Sequence, residues 1–186
     1  MNRVAWLGID PGVTHTGLAL RAGSDLHAFD VVTREVDESI AAGRLGLRVG
    51  PAYIRSVIHA ADALYADAMT AGWTVRVAVE WLNAPGGHAK GGHVAPRDLV
   101  AVAIVTGAVV SAYPDATLVP PARAGQRPLS TYPEALVTDR ERARGVNRPA
   151  GDSAAVSHAR EAWDVAGMAP QIARLAAAVQ RAGGAR

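Results

Sequence analysis

The sequence contains no cysteine among its 186 residues. That absence excludes a disulfide framework, a thiolate metal site and a cysteine nucleophile. No run of about 18 apolar residues is present, and the first residues lack the basic and then apolar order of a secretory signal. We therefore expect a cytoplasmic protein with no membrane partner. The length and the hydrophobic fraction of 49% predict one globular domain with a substantial buried core.

Lysine is nearly absent, because 18 of the 19 basic residues are arginine. The net charge of +2 is too small to indicate a nucleic-acid partner by itself. Residues 1–119 hold 9 basic against 11 acidic residues, whereas residues 120–186 hold 10 against 6. Arginine forms bidentate contacts with phosphate, so a basic C-terminal third is compatible with nucleic-acid binding. A coding bias toward Ala, Gly and Arg explains the arginine content equally well.

Hydrophobic periodicity predicts the element order β-β-β-α-β-α-β-α. The predicted strands cover residues 4–9, 16–22, 26–32, 74–79 and 117–119. The predicted helices cover residues 41–71, 96–113, 133–144, 152–165 and 170–180, with Pro51 kinking the first and Gly167 and Pro170 separating the last two. Three sequential strands followed by alternating helices and strands imply an antiparallel extension on a parallel core. The predicted fold class is therefore α/β, with a mixed sheet flanked by helices.

Two carboxylates follow buried strands at corresponding points of this sheet. The apolar run 4–9 ends at Asp10, directly before a Pro-Gly turn, and the strand over 74–79 ends at Glu80. A right-handed crossover places these strands parallel and adjacent, with their carboxyl ends at the crevice where α/β folds build their sites. The alternatives are that Asp10 only caps a hairpin turn and that Glu80 is a surface glutamate.

Asp152 is a third candidate, because it begins the predicted helix over 152–165. If that helix packs across the same end of the sheet, three carboxylates meet, and such a cluster is rarely built without a bound cation. Oxygen ligands of this kind select Mg²⁺ or Mn²⁺. Two such ions about 4 Å apart would activate water and stabilise an in-line phosphoryl displacement, which is phosphodiester hydrolysis. The alternative for Asp152 is an ordinary helix N-cap.

Three motifs carry a resemblance to a known family. Residues 8–17, with Gly-Ile-Asp-Pro-Gly and then Thr-Gly, resemble the opening of RuvC-type Holliday-junction resolvases, members of the RNase H-like nuclease superfamily. Residues 77–80, Val-Ala-Val-Glu, resemble that family's second acidic strand. Residues 151–156, Gly-Asp-Ser-Ala-Ala-Val, resemble its C-terminal Asp followed by small apolar helix residues. The similarity covers about residues 3–165 and rests on the order and spacing of all three motifs.

The resemblance implies an RNase H-like mixed sheet and a Mg²⁺-dependent endonuclease. Mn²⁺ would be able to take the place of Mg²⁺. It implies a homodimer that makes paired nicks in branched DNA, the substrate being a four-way junction. Asp10, Glu80 and Asp152 would be the catalytic metal ligands. Residues 1–168 would form the nuclease domain, and residues 169–186 a C-terminal helix and basic tail.

The sequence departs from the family at one position. The family commonly places an acidic residue or a His one helical turn before its final Asp, and Pro149 occupies that position here. Asp139 and Asn147 are the substitutes that the sequence offers for a fourth ligand. His158 lies six residues after Asp152, which is not the same helical face, so it is left out of the predicted site.

Five residues are candidates for DNA contact. The family tends to place an aromatic residue after its acidic strand, and Trp81 here would either stack on bases or fill the core; strand alternation favours the core. Lys90 lies in a Gly- and His-rich loop whose backbone can approach phosphates closely. Arg123, Arg127 and Arg148 belong to the densest basic stretch, for which the alternative is a solvated loop with scattered charges.

Two other functions are compatible with the sequence. The RNase H-like superfamily includes nucleases that act on flaps, RNA or hybrids, and the three-acid site looks much alike in all of them. A non-catalytic protein that binds branched DNA is the alternative from another class, and the missing fourth ligand favours it. Such a protein would bind DNA without metal and would not nick it.

Overall fold

The computed structural model describes residues 3–35, 48–82, 96–121, 125, 127–145 and 153–183. Within these residues the strands are β1 (Arg3–Asp10), β2 (His15–Ala22), β3 (Asp25–Thr33), β4 (Trp73–Glu80) and β5 (Thr117–Val119). They form one sheet in the order β3-β2-β1-β4-β5. The predicted strands are confirmed, with ends that differ by one residue at most.

The sheet is mixed. Strands β1 and β2 pair antiparallel, as do β2 and β3, whereas β1 pairs parallel with β4 and β4 with β5. Three antiparallel-connected strands are thus followed by parallel ones, and helices flank the sheet. The predicted α/β class with an RNase H-like arrangement is confirmed.

The described residues include four α-helices. They are α1 (Pro51–Thr70), α2 (Pro96–Ala112), α3 (Asp139–Arg144) and α4 (Ser153–Gly183). Pro51 begins α1, where its missing N–H is not needed, and residues 41–47 of the longer predicted helix lie outside the described residues. The predicted helix over 133–144 is a 3₁₀ turn at Glu134–Leu136 followed by α3. Among the described helices, none has the length and apolar character needed to cross a membrane.

Alternation along the strands assigns each side chain to one of two faces. One face packs on α1 and α2 through a cluster of apolar residues that includes Leu7, Ile9, Val77, Val79, Val57 and Val105. The other face carries Trp6, Ala19, Ala78 and Val119, which pack on α4. Asp10 and Glu80 share the parity of the residues that face α4. The sequence pattern therefore directs both carboxylates toward that helix.

Two glycines bring α4 unusually close to the sheet. A Cβ on Gly17 of β2 would lie 2.0 Å from the carbonyl oxygen of His158, and one on Gly8 of β1 would lie 2.0 Å from that of Ala162. No side chain fits in such a gap, so α4 lies against the bare backbone of both strands. This contact sets the height of α4 above the carboxyl end of β1.

Replacing Gly17 should separate α4 from the sheet. We expect Gly17→Ala to lower the free energy of unfolding by about 1–3 kcal/mol, because the added methyl group overpacks a backbone contact. Urea unfolding measures this loss. Gly107→Ala is the matched control, since a Cβ there meets no atom within 4 Å and Ala is the better helix former. Equal stabilities of the two variants would contradict the close approach of α4.

Helix α4 runs without interruption past Gly167 and Pro170, so the predicted break between two helices is wrong. Proline removes one backbone hydrogen bond inside a helix, which favours a break. Here Ala166 and Ala169 are buried against Trp6 on the sheet, and this packing outweighs the local cost. Tertiary contacts have overridden the local propensity.

Candidate metal centre

Asp10 is the last residue of β1, and its side chain is almost completely buried. The parallel register pairs Ile9 with Val79, so Glu80 comes directly beside Asp10 at the end of β4. Glu80 is half-buried, and β5 borders it through the pairing with Val119. The predicted meeting of Asp10 and Glu80 at one end of the sheet is what the register produces.

Helix α4 brings two further ligand-type side chains to Asp10. The Nδ1 atom of His158 lies 2.5 Å from the Oδ2 atom of Asp10, and 4.0 Å from Oε2 of Glu161. His158 and Glu161 are three residues apart, so they lie on one face of α4. Ligand atoms of Asp10, His158 and Glu161 all lie within 4.8 Å of one another.

The carboxyl groups of this cluster are held in surroundings that disfavour their charge. Burial raises the pKa of Asp10 well above its ordinary value, and hydrogen bonding to Glu80 and repulsion from it raise this pKa further. Burial and the charge of Asp10 raise the pKa of Glu161 to about 9. Burial lowers the pKa of His158, although Glu161 and Glu80 act in the opposite direction. A neutral imidazole is the form that binds metal ions.

The donor set fits a divalent cation. Asp10, Glu80 and Glu161 offer carboxylate oxygens, and His158 offers one imidazole nitrogen. Three acidic side chains gathered at one end of the sheet repel one another unless protons or a cation neutralise them. Oxygen donors with one imidazole suit Mg²⁺ and, still better, Mn²⁺. The four side chains come from β1, β4 and α4, which are rigid elements.

The turn after Asp10 is held by a hydrogen-bond network from α1. The hydroxyl of Tyr53 donates to the carbonyl of Gly12 over 3.1 Å and lies 2.8 Å from Thr16 Oγ1. Thr16 Oγ1 in turn accepts from the backbone N–H of Gly12. All three residues are buried. This network fixes the chain on the far side of Asp10 and so restricts where its carboxylate can point.

His158 and Glu161 are the residues that sequence reasoning missed. The exclusion of His158 is wrong as a statement about position, because its ring contacts Asp10. His158 is excluded only if Asp152 defines the helical face of the site. Asp152 lies outside the described residues, as do Pro149 and Asn147. The signal in the sequence was the His-x-x-Glu spacing, which places two ligand-type side chains one turn apart on a helix. The role of Asp152 stays a prediction.

Asp139 is another substitute that the sequence offers for a fourth ligand. Its side chain is 97% exposed and forms an ion pair with Arg142 within α3. The described ligand group around Asp10 contains His158 and Glu161 and does not contain Asp139.

Two of the five residues predicted to contact DNA, Trp81 and Arg127, lie in the part of the chain that the structure describes. Trp81 is 47% exposed, so the interpretation that it fills the core is wrong, and its stacking role stays a prediction. The guanidinium of Arg127 forms an ion pair with Asp164, and the Arg127 side chain is 45% exposed. Lys90, Arg123 and Arg148 lie outside the described residues.

The strand order and the helix placement define an RNase H-like α/β fold. Among solved structures, the chain is similar to Thermus thermophilus RuvC in complex with a Holliday-junction substrate. The two are 20% identical, the match covers 92% of this chain and 96% of that chain, and the TM-score is 0.48. A second structure of Thermus thermophilus RuvC is 21% identical over 84% of this chain and 92% of that chain, with a TM-score of 0.37. No protein-family model and no curated protein matches the sequence.

Proposed function

We propose that this protein is a metal-dependent endonuclease that hydrolyses phosphodiester bonds in branched DNA, with the four-way junction as its substrate. The observation that carries the proposal is the group formed by Asp10, Glu80, His158 and Glu161 at the carboxyl ends of two parallel strands. The preference for branched DNA comes from the sequence motifs at residues 8–17 and 77–80, which resemble those of RuvC-type resolvases.

The metal would be Mg²⁺, with Mn²⁺ as a substitute. Asp10, Glu80, Glu161 and His158 would hold it, and Asp152 is retained as a further candidate ligand from the sequence. When bound, one or two such ions supply Lewis-acid activation of water and of the scissile phosphate. The protein's own part is to hold the carboxylates on rigid elements, with the Tyr53 network fixing the turn beside Asp10.

DNA contacts would come from residues around this centre. Exposed Trp81 directly follows Glu80, which suits stacking on an unpaired base. Lys90, Arg123, Arg127 and Arg148 would bind phosphates. The division into a nuclease domain, 1–168, and a C-terminal helix and tail, 169–186, stays a prediction from the sequence, and α4 is continuous across that boundary. Homodimer formation and cytoplasmic residence belong to the same proposal.

A catalytic role is favoured over simple DNA binding. The acidic residue or His that the family places at the position of Pro149 is absent, which favours a non-catalytic protein. His158 and Glu161 beside Asp10 offer ligand types of that kind. Activity on a flap, RNA or hybrid would use the same centre and is an outcome of the test below.

The test is cleavage of a labelled four-way DNA junction, with matched duplex and RNA–DNA hybrid controls, in Mg²⁺ and in EDTA. We expect paired nicks confined to the junction, lost in EDTA and in Asp10→Asn. Cleavage of the hybrid instead would keep the metal centre and change the substrate. Tight junction binding without cleavage in Mg²⁺ or Mn²⁺ would contradict the enzymatic proposal.

A further inference from the structure

Asp164 is a buried carboxylate on α4 that lies outside the metal centre and joins three groups. Its Oδ2 atom accepts hydrogen bonds from the backbone N–H of Gly125 at 2.9 Å and from the hydroxyl of Tyr132 at 2.8 Å. Its Oδ1 atom is ion-paired with the guanidinium of Arg127. The side chain is only 7% exposed. One carboxylate on α4 thus ties down both ends of the segment from Gly125 to Tyr132.

A further hydrogen bond joins Arg127 to Tyr132 beside α4. The Tyr132 hydroxyl accepts a hydrogen bond from the backbone N–H of Arg127 at 3.1 Å, so it bridges that amide and Asp164. The Tyr132 ring is buried and meets the ring of Trp163 edge-on, with centroids 5.7 Å apart. Asp164 therefore belongs to a connected hydrogen-bond network with Gly125, Arg127 and Tyr132.

Gly125 connects this network to the metal centre. Its backbone has φ +71°, and a Cβ added there would lie 2.4 Å from Cγ of Glu161 and 3.0 Å from Oε1. The backbone at Gly125 thus lies directly against the side chain of Glu161. Asp164 follows Glu161 by three residues, so both project from the same face of α4. One face of the helix thus carries Glu161, a ligand-type carboxylate, and Asp164, the carboxylate that holds Gly125 against Glu161.

We propose that Asp164 is a positioning residue for the metal centre, which holds the backbone of Gly125 against Glu161 and thereby fixes the Glu161 carboxylate for cation binding. This inference rests on the proposed metal function of Asp10, His158 and Glu161. Groups that orient metal ligands without touching the metal influence affinity strongly, because they determine whether a ligand is already in its bound geometry. Glu161 is flexible by nature, and Gly125 removes part of that freedom.

The test is Mn²⁺ binding to the full chain without DNA. Binding is measured as the decrease of the electron paramagnetic resonance signal of the free ion. We expect Asp164→Ala to weaken Mn²⁺ binding by about 10- to 100-fold. Asp164→Asn keeps an acceptor oxygen for Gly125 and Tyr132, so it should restore most of the affinity. Asp67→Ala, an exposed carboxylate on α1, is the matched control and should bind as the wild type does.

Gly125→Ala tests the same idea without removing any hydrogen-bonding group. Its methyl group would displace Glu161, so Mn²⁺ binding should weaken as it does in Asp164→Ala. The thermal unfolding of each metal-free variant identifies any that fail to fold. Wild-type affinity in a folded Asp164→Ala or Gly125→Ala would overturn the positioning role. If the wild type binds Mn²⁺ and Asp10→Asn does not, the metal centre itself would still be supported. Absence of Mn²⁺ binding in the wild type would overturn the metal centre and this inference together.

Discussion

Glu161→Gln should lower the rate of junction cleavage by about 10³-fold or more, since metal chemistry is worth several kcal/mol of barrier. Glutamine keeps the size of the side chain but replaces an anionic oxygen with an amide. Glu161 lies within 4.8 Å of ligand atoms of both Asp10 and His158, so its charge bears directly on any cation there. DNA binding should be unchanged, because no phosphate contact is removed.

The rate is measured as single-turnover cleavage at saturating protein, and junction affinity is measured separately in EDTA. Glu134→Gln is the matched control, because Glu134 is 89% exposed and paired only loosely with Arg142. The control should cleave at the wild-type rate. Wild-type cleavage by Glu161→Gln would remove Glu161 from the centre.

The same substitution should not reduce the stability of the metal-free protein. Burial raises the pKa of Glu161 from its ordinary 4.5 to about 9, so the folded state holds a proton that the unfolded state releases. Stability of the metal-free protein therefore falls as the pH rises through that window. Glutamine carries no such cost, so at pH 8 the Tm of metal-free Glu161→Gln should equal or exceed that of the wild type. A decrease would indicate that the variant is damaged structurally.

Asp152→Asn is the companion substitution for the ligand predicted from the sequence. That prediction is lost cleavage with retained junction binding. If both Asp152→Asn and Glu161→Gln fail to cleave, both carboxylates serve the reaction. If only Glu161→Gln fails to cleave, Asp152 is an ordinary helix N-cap and not a ligand.

Local patterns were enough to predict the sheet and two of its carboxylates. Asp10 and Glu80 each end an apolar strand, and the right-handed crossover between those strands makes them neighbours. These inferences need only sequence-local signals and one topological rule. The described register bears them out, with Ile9 opposite Val79.

The contribution of α4 could not be read in the same way. Whether His158 and Glu161 reach Asp10 depends on where the helix crosses the sheet, and Gly8 and Gly17 set that height from distant strands. The position of Asp152 on the helix carries no information about this contact. Pro170 misled for a related reason, since packing of α4 on the sheet decides its continuity.

A buried ion pair joins α4 to α3. Arg160 lies between His158 and Glu161 in sequence and is completely buried. Its guanidinium donates to both carboxylate oxygens of Glu141, at 2.7 and 3.0 Å, and to the carbonyl of Leu136 at 2.8 Å. Glu141 also closes the capping box that begins α3 at Thr138. The pair thus anchors the segment before α3 to the helix that carries the proposed metal ligands His158 and Glu161.

Glu141→Ala should lower the free energy of unfolding by about 3–5 kcal/mol, because it leaves the buried Arg160 guanidinium without the Glu141 carboxylate. Removing both charges should cost less, since neither side chain then carries an uncompensated buried charge. We expect Glu141→Leu combined with Arg160→Met to recover much of the loss. Although burial opposes it, hydrogen bonding from Arg160 and Thr138 holds the pKa of Glu141 below its ordinary value. The stabilisation is therefore present near neutral pH and is lost as the pH falls through that lowered pKa.

Urea unfolding of the two variants at pH 7 measures these differences, provided that the dependence on urea is the same in each. Glu134→Ala removes a carboxylate from the exposed pair with Arg142 and should cost at most about 1 kcal/mol, as exposed ion pairs do. If Glu141→Ala costs no more than this control, the buried pair is not an anchor. If the double variant is stable but cleaves slowly, the charges of the pair do more than hold the fold: they orient the stretch of α4 on which His158 and Glu161 stand.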